Sequence, residues 1–499
     1  MIRNDFNLEE KSLSRNRNMK LFPIFRLLGI ALLLTTLLAA NTQSAKARPT
    51  FVVMAANEGD DVNPGNGICA TATGACTLRA AIEESNANPG ADLITFNLPG
   101  GGVHVISITA GPLPIITDSV TIDGTSQPNC AIPCIVLSGA VIGGANNGLI
   151  VNANGSTIKG FIVTSWGNDG IAIVGDSNSI QSNDIGFWPG NPTLLPNGQG
   201  ILILGSHNFI GGGPGQRNVI SGNASIGINI GSGCCAVTSN TIQGNYIGTN
   251  VLGSGALGNH GQGIFLSSLA NNSVILNNVI SGNLGWGIEL AGATNTLIRG
   301  NKIGANAAGT GALGNRLGGV AIDSDANTNT IGGTANGQPN NISYNHGVGI
   351  LVVGASTVNN RIQHNSIFAN TSLGINLGSG GVTPNDLGDP DAGPNQTQNF
   401  PVLTSATGST FTITGRLNSL PADAYTVEFF SSPAATCDPS GYGEGKKFVG
   451  SKIVTTNALG NVSFSFTGSI VFGAGEVITA TATDASGNTS EFSLCRIAN

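Results

Sequence analysis

Arg299 and Lys302 stand three residues apart, with Glu289 upstream and Arg316, Asp323 and Asp325 shortly downstream. This group is the best candidate for chemistry on an anionic sugar. Removing the proton beside a uronate carboxylate requires a base and a cation that holds the developing charge, and the cluster offers both. His364 falls at a turn position comparable with Gly244 and Gly300. Arg299, Lys302, Glu289, Asp323 and His364 are therefore the catalytic candidates, for a polysaccharide lyase. The competing reading makes them solubilising charges on an outer surface. Hydrolysis would instead need two carboxylates roughly 5 to 10 Å apart across a cleft. Asp169 with Asp184, or Glu289 with Asp323, are the pairs to consider, and neither carries a distinguishing motif.

A binding role rests on other residues. Only 5% of the chain is aromatic, yet Trp166, Phe187, Trp188, Tyr246, Phe265 and Trp286 gather in one region. Trp188, Tyr246, Phe265 and Trp286 are the glycan-binding candidates, since aromatic faces stack on sugar rings while Asn and Ser supply hydrogen bonds. Aromatic residues filling wide corners are the alternative. Asp389 and Asp391 lie in one acidic loop and could contribute hard ligands to calcium. No other metal or cofactor is indicated. The run of glycines at 211–215 lacks the Gly-Lys-Ser/Thr of a phosphate cradle and reads as a turn.

These side chains need a scaffold, and the chain repeats itself. Glycine followed by alternating branched apolar residues begins at Gly148, Gly170, Gly200, Gly227, Gly263, Gly287, Gly319, Gly349 and Gly374. Spacings of 22 to 36 residues are those of a solenoid. Ile201 with Ile203, Ile228 with Ile230, Ile264 with Leu266 and Ile288 with Leu290 alternate with period two, so each pair faces one side of a strand and stacks into a dry interior. Ile150, Ala172, Leu202, Phe265, Ala321 and Leu351 then face outward as a partly apolar strip, open to a loop, a terminal domain or a second copy. Asn183, Asn218, Asn245, Asn278, Asn301, Asn340 and Asn365 recur after a second strand type, which implies an asparagine ladder at a turn. Longer insertions begin near Gly186, Gly248 and Gly304, in every second coil, and mark the edge where a binding face is expected.

The ends are different. Residues 1–47 read as an export segment: basic residues, an apolar run at 27–40, and a small-X-small pattern at Ala45, Lys46 and Ala47. The run is too short for a transmembrane anchor, which takes about 20 apolar residues. Beyond residue 47 the chain holds 13 basic against 24 acidic side chains, a formal charge of −11. That balance disfavours nucleic acid as a partner. The eight cysteines suit an oxidising compartment, with Cys69 near Cys76, Cys130 near Cys134, and Cys437 and Cys495 positioned to tie the C-terminal region together. Cys234 and Cys235 are adjacent, a spacing that argues against an ordinary disulfide between them. A helix capped by Thr77, with Leu78, Ala81 and Ile82 on one face, is expected to close the N-terminal end of the solenoid. The expected divisions are 48–135 for the cap and first coils, 136–383 for the repeats, 384–400 for a linker and 401–499 for a small antiparallel, Ig-like β-sandwich.

Cys76, Thr77, Leu78, Arg79, Ala80, Ala81 and Ile82, followed by Asn86 to Asp92, resemble the Cys-Ser-Leu-Arg-Glu-Ala domain of bacterial exported proteins, with Thr77 and Ala80 replacing Ser and Glu. The coils resemble right-handed parallel β-helix repeats of the pectate-lyase-like fold, and the segment from Gly388 to Asn395 resembles the tail attached to such proteins. The right-handed sense comes from this resemblance and the general crossover rule. It implies an all-β protein, secreted or on the bacterial cell surface, that binds extracellular glycan or serves as an adhesive scaffold. A polysaccharide lyase and an inert structural protein that self-associates are the alternatives, because the fold hosts many activities.

Overall fold

The computed structural model describes residues 48–131, 133–191, 195–233, 235–434 and 436–499. The expected export segment and Cys234 lie outside the described residues. Period-two alternation produces what it should: Ile201, Ile228, Ile264, Ile288, Val320 and Ile350 are fully buried and stand in register on successive parallel strands. Each such side chain withdrawn from water contributes about 1.5–3 kcal/mol. Three parallel sheets wind around this interior. Sheet A has eleven strands, from Thr50–Val53 to Arg361–Gln363; sheet B has ten, from His104–Ser107 to Ser366–Phe368; sheet C has nine, from Leu149–Val151 to Ile375–Leu377. One coil runs through A, B and C in turn, as in Thr241–Gln243, Tyr246–Ile247 and Ile264–Leu266.

Two buried columns of asparagine hold the corners of sheet B. The expected ladder, Asn183 through Asn365, lies between sheets A and B, and each side-chain amide donates to the Oδ1 of the next at 2.9–3.1 Å. The same amides also reach a strand carbonyl, as Asn278 Nδ2 does at Ile242. A second column, Asn197, Asn223, Asn259, Asn283, Asn315, Asn345 and Asn370, runs between sheets B and C at 2.8–3.1 Å. It explains the recurring glycine. A Cβ on Gly263 would come 2.7 Å from the Gly287 carbonyl, 2.7 Å from Ile280 Cγ2 and 2.9 Å from Asn283 Nδ2; on Gly287 the corresponding distances are 2.7, 2.7 and 2.8 Å. The backbone enters sheet C pressed against the second ladder, and only a residue without a side chain passes there.

Both ends of the stack are closed. At the start, Thr77 Oγ1 accepts from the Ala80 amide at 3.1 Å and opens the helix Leu78–Ala87, whose Leu78, Ala81 and Ile82 join the solenoid core. Arg79, a buried residue of the same helix, donates to Glu58 at 2.8 Å and to the carbonyls of Pro112 and Gly111. Three disulfides join Cys69 to Cys76, Cys130 to Cys134 and Cys437 to Cys495. At the far end, residues 402–497 form two antiparallel sheets that share one core of Ile413, Leu417, Val427, Phe429, Phe464 and Ile478. This sandwich puts three buried glutamates onto the last coil. Glu428 accepts from the His364 amide, Glu444 accepts from the backbone and side chain of Asn370, and Glu491 accepts from the amides of Leu377 and Thr383. Glu444 therefore ends the second asparagine column. Among the described residues no helix is long and apolar enough to cross a membrane.

Two outcomes follow from this packing. Asn278→Asp removes a donor and leaves the Ile242 carbonyl and Asn301 Oδ1 short of a partner, so a loss of about 3 kcal/mol is expected in denaturant unfolding. Gly287→Ala should cost about 2–3 kcal/mol by overpacking, whereas Gly215→Ala, with open space around its Cβ, should be nearly neutral. Equal midpoints for the two alanine variants would contradict the close-approach explanation. A third outcome concerns pH. Burial pushes Glu444 and Glu491 from their ordinary 4.5 up to about 7, against the pull of their hydrogen-bond donors. The docked state thus holds protons that the unfolded chain has released, and this contribution to stability is full below 4.5 and lost as pH rises through about 7. Amide exchange at the junction should be faster at about pH 8 than at about pH 5 after correction for intrinsic rates, and Glu444→Gln with Glu491→Gln should flatten the difference.

Candidate functional site

The outward face of sheet C is built by strand register alone. Ile150, Ala172, Leu202, Asn229, Phe265, Glu289, Ala321, Leu351 and Asn376 pair in sequence across nine strands. The expected outward strip is a single column, interrupted by Asn229, Glu289 and Asn376, so its surface is mixed rather than apolar. Beside it runs a second row, formed by residues directly before the recurrent glycines. Gln199, Gln262 and Trp286 belong to it. Gln262 Nε2 donates to Glu289 Oε2 at 2.6 Å, and Asn229 Nδ2 donates to Gln199 Oε1 at 2.8 Å. The Trp286 indole lies against the backbone of the next coil, where a Cβ on Gly318 would fall 2.1 Å from the ring. Phe265 and Trp286 are both half-buried and stand on neighbouring strands. Burial raises the Glu289 carboxyl above its usual range; the Gln262 hydrogen bond opposes this and the Asp323 charge adds to it. Asp323 ends the next strand, opposite Ala291.

The five catalytic candidates are spread over the three sheets and the junction with the C-terminal sandwich. Glu289 and Asp323 share sheet C, but Arg299 closes the sheet A strand Leu297–Arg299, and Lys302 opens the sheet B strand Lys302–Ile303. Asn301 turns the chain between the last two. Lys302 Nζ donates to the Ala307 carbonyl of its own following loop. His364 is held inside the junction with the C-terminal sandwich: its Nδ1 lies 2.7 Å from Glu428 Oε1, and its ring stacks on Phe448 at 3.9 Å. No cation from this set stands beside Glu289. Asp169 and Asp184 are likewise on different sheets, and burial raises them to about 6 and about 7.

The aromatic candidates divide evenly. Phe265 and Trp286 lie on sheet C, while Tyr246 lies on sheet B and Trp188 follows the sheet B strand Asp184–Ile185. The insertions differ from the expected open edge. Those after Gly248 and Gly304 close into hairpins through the bridges Thr249 to Ala256 and Ala305 to Ala312, and Ala307 N donates to the Gly253 carbonyl to join one hairpin to the next. Gly253 packs against the Tyr246 ring, whose face also carries the Arg217 guanidinium at 3.9 Å. The insertions thus fold back and roof sheet B, because their own carbonyls and amides pair with each other. Sheet C carries no such hairpins; in its outward column Ala172, Asn229, Ala321 and Asn376 are buried and the other five side chains half-buried.

The acidic loop of residues 386–391 gathers three carboxylates, Asp386, Asp389 and Asp391, with ligand atoms within 4.8 Å of one another. Asp389 is buried and accepts from Gln398 Nε2 at 2.8 Å, from the Asn399 amide and from the Ser419 hydroxyl. Burial raises it to about 6, its hydrogen bonds oppose that, and the Asp391 and Asp386 charges add to it. Asp386, the third member, was not singled out by the spacing of Asp389 and Asp391.

No family model matches this chain, and no curated protein sequence matches it significantly. Similar solved structures include the Dettilon tailspike protein, at 13% identity over 89% of this chain and 94% of that one, with a TM-score of 0.38. The pectate lyase Pel9A is 16% identical over 69% and 76%, with a TM-score of 0.32. Tailspike protein 2 of Escherichia coli O157:H7 bacteriophage CAB120 is 12% identical over 83% of this chain, which spans 65% of that protein's length, with a TM-score of 0.29. The chain is an all-β, right-handed parallel β-helix with a short N-terminal helix and antiparallel C-terminal sheets.

Proposed function

We infer that this is an exported protein that binds extracellular glycan along the outer face of sheet C. The observation that carries the reading is the placement of Phe265 and Trp286 beside the Gln262–Glu289 hydrogen bond on an unroofed, register-locked sheet. Aromatic faces beside fixed amide and carboxylate groups suit a polyhydroxylated ring. The strand spacing of about 4.8 Å is comparable with the length of one hexose unit, so successive coils offer successive sugars equivalent backbone surroundings. Three disulfides favour an oxidising, extracellular setting. Lyase chemistry gains no support here, because Arg299 and Lys302 belong to the other two sheets.

The test is retention of the purified chain on a panel of acidic and neutral polysaccharides, with the eluate checked for cleaved products. Retention without cleavage is expected. Phe265→Ala and Trp286→Ala should each weaken it about tenfold, with no loss of thermal stability beyond a few degrees. Unsaturated products would replace binding with lyase activity, and equal retention by the double variant would move the site off sheet C. Calcium is a subsidiary expectation at Asp386, Asp389 and Asp391. Millimolar calcium should raise Tm for the wild type and not for Asp389→Asn; an equal response of both would exclude this loop.

A further inference from the structure

The hairpin roof over sheet B is built on a two-coil rhythm, and its fourth place is vacant. Hairpins or longer loops leave sheet B after Asp184, Ile185 and Gly186, after Tyr246, Ile247 and Gly248, and after Lys302, Ile303 and Gly304. The next place in that rhythm reads Ser366, Ile367 and Phe368, with no insertion after it. Phe368 thus occupies the position from which a hairpin would start, in register with Ser343 of the preceding coil. The C-terminal sandwich does not fill the gap. It walls the gap instead, leaving a cavity of about 530 Å³ and an adjoining one of about 470 Å³ that share Phe368, Ser432, Pro433 and Lys446.

The lining is that of a small-molecule site rather than of a gap in packing. Tyr344 and Phe368 form an edge-to-face pair with ring centroids 5.4 Å apart. Lys446 Nζ stands 4.7 Å from the Phe368 centroid, and among the described residues it makes no ion pair or hydrogen bond. The other lysine there, Lys447, donates to the Val471 carbonyl at 2.9 Å. An extended peptide would need a free backbone edge, and the last hairpin offers none at this wall. Its Gly309 carbonyl already accepts from Asn341 Nδ2 at 3.1 Å, and its Thr310 carbonyl accepts from the Tyr344 hydroxyl at 3.3 Å. The cleft offers a face of two aromatic rings, hydroxyl groups at the rim and one cation not engaged with a carboxylate; Asp438 and Glu444 line it as well, the first accepting from the Ser440 amide of its own turn and the second from Asn370.

We propose that this cleft, between the last hairpin and the C-terminal sandwich, is a second binding site, and that it takes a single sugar unit bearing a carboxylate. The sugar ring packs on Phe368 and Tyr344, and its carboxylate pairs with Lys446. The site is separate from the sheet C face and depends on a different part of the fold.

Glucuronate and glucose, which differ only in the carboxylate, are the probes, and ligand-observed saturation-transfer NMR on the full chain is the measurement. Glucuronate should bind the wild type with a dissociation constant at least about tenfold below that of glucose. Lys446→Met should raise the glucuronate constant about tenfold or more, Lys446→Arg should stay near the wild type, and Trp286→Ala should leave it unchanged. Lys446 is exposed, so its substitution leaves folding intact if Phe368→Ala does not. Absence of glucuronate binding, equal constants for glucuronate and glucose, or an unaltered constant in Lys446→Met overturns the assignment. Loss of glucuronate in Trp286→Ala alone overturns it too, by relocating the probe to sheet C. Because polysaccharide retention is read with Phe265 and Trp286 variants, either site can fail while the other stands.

Discussion

A backbone that passes against a buried column of amides leaves no space for a Cβ, and the rest of this molecule is arranged around that contact. At Gly263 and Gly287 the neighbouring carbonyl, a strand isoleucine and the ladder asparagine all lie within 3 Å of where the first side-chain atom would be. The approach lets each asparagine satisfy its neighbour and the strand carbonyls at once. Buried amides are costly when unpaired and stabilising when every donor is used, so the column has one acceptable register. Coil height, strand pairing and the inward direction of the isoleucines are set with it.

A column of hydrogen bonds must end somewhere, and each end needs different chemistry. At the last coil the donors end on carboxylates: Glu444 accepts from the backbone amide and the side-chain amide of Asn370, which also donates to the Ile342 carbonyl, and Glu491 accepts from the amides beyond it. Glutamate suits this place because its two oxygens accept in two directions, as both do at Glu491. Burial makes the same choice sensitive to pH, which ties the attachment of the C-terminal sandwich to its surroundings. At their other ends the columns stop on backbone, where Asn183 Oδ1 accepts from the Phe161 amide and Asn197 Oδ1 from the Trp166 amide. The repeats therefore supply a stiff rod, and variation is confined to what projects from it.

Much of this was legible in residue spacing. The solenoid follows from glycines 22 to 36 residues apart, and the first asparagine column from seven asparagines that keep one offset from a strand. The second column is also written in the chain, since Asn223, Asn259, Asn283, Asn315, Asn345 and Asn370 each stand four residues before a recurrent glycine and Asn197 three, but the unequal insertions between its members hide the recurrence. Its trace was the glycine itself, whose cause is spatial. The direction of the insertions was also hidden. A loop's length is written in the chain, but its folding back over sheet B depends on pairings such as Ala307 with Gly253, 54 residues apart. His364 looked available because its partner, Glu428, lies 64 residues away in another domain. Arg299 and Lys302 do share one coil, and what their spacing hides is the corner that puts them on different sheets. Gln199, Gln262 and Trp286 had a usable mark, the position directly before a recurrent glycine, which places them on the outer face of sheet C.

The proposed glycan site uses side chains that break the repeat on a face without hairpins. Sheet B is covered by its own hairpins, and the sheet C face presents aromatic rings beside a fixed amide and carboxylate. The most direct measurement is hydroxyl-radical footprinting of the full chain with and without a polysaccharide that it retains. Loss of labelling at Phe265 and Trp286, with Trp188 and Tyr246 unchanged, is the expected result. Protection of Tyr246 or the hairpins with Trp286 still fully labelled would contradict it.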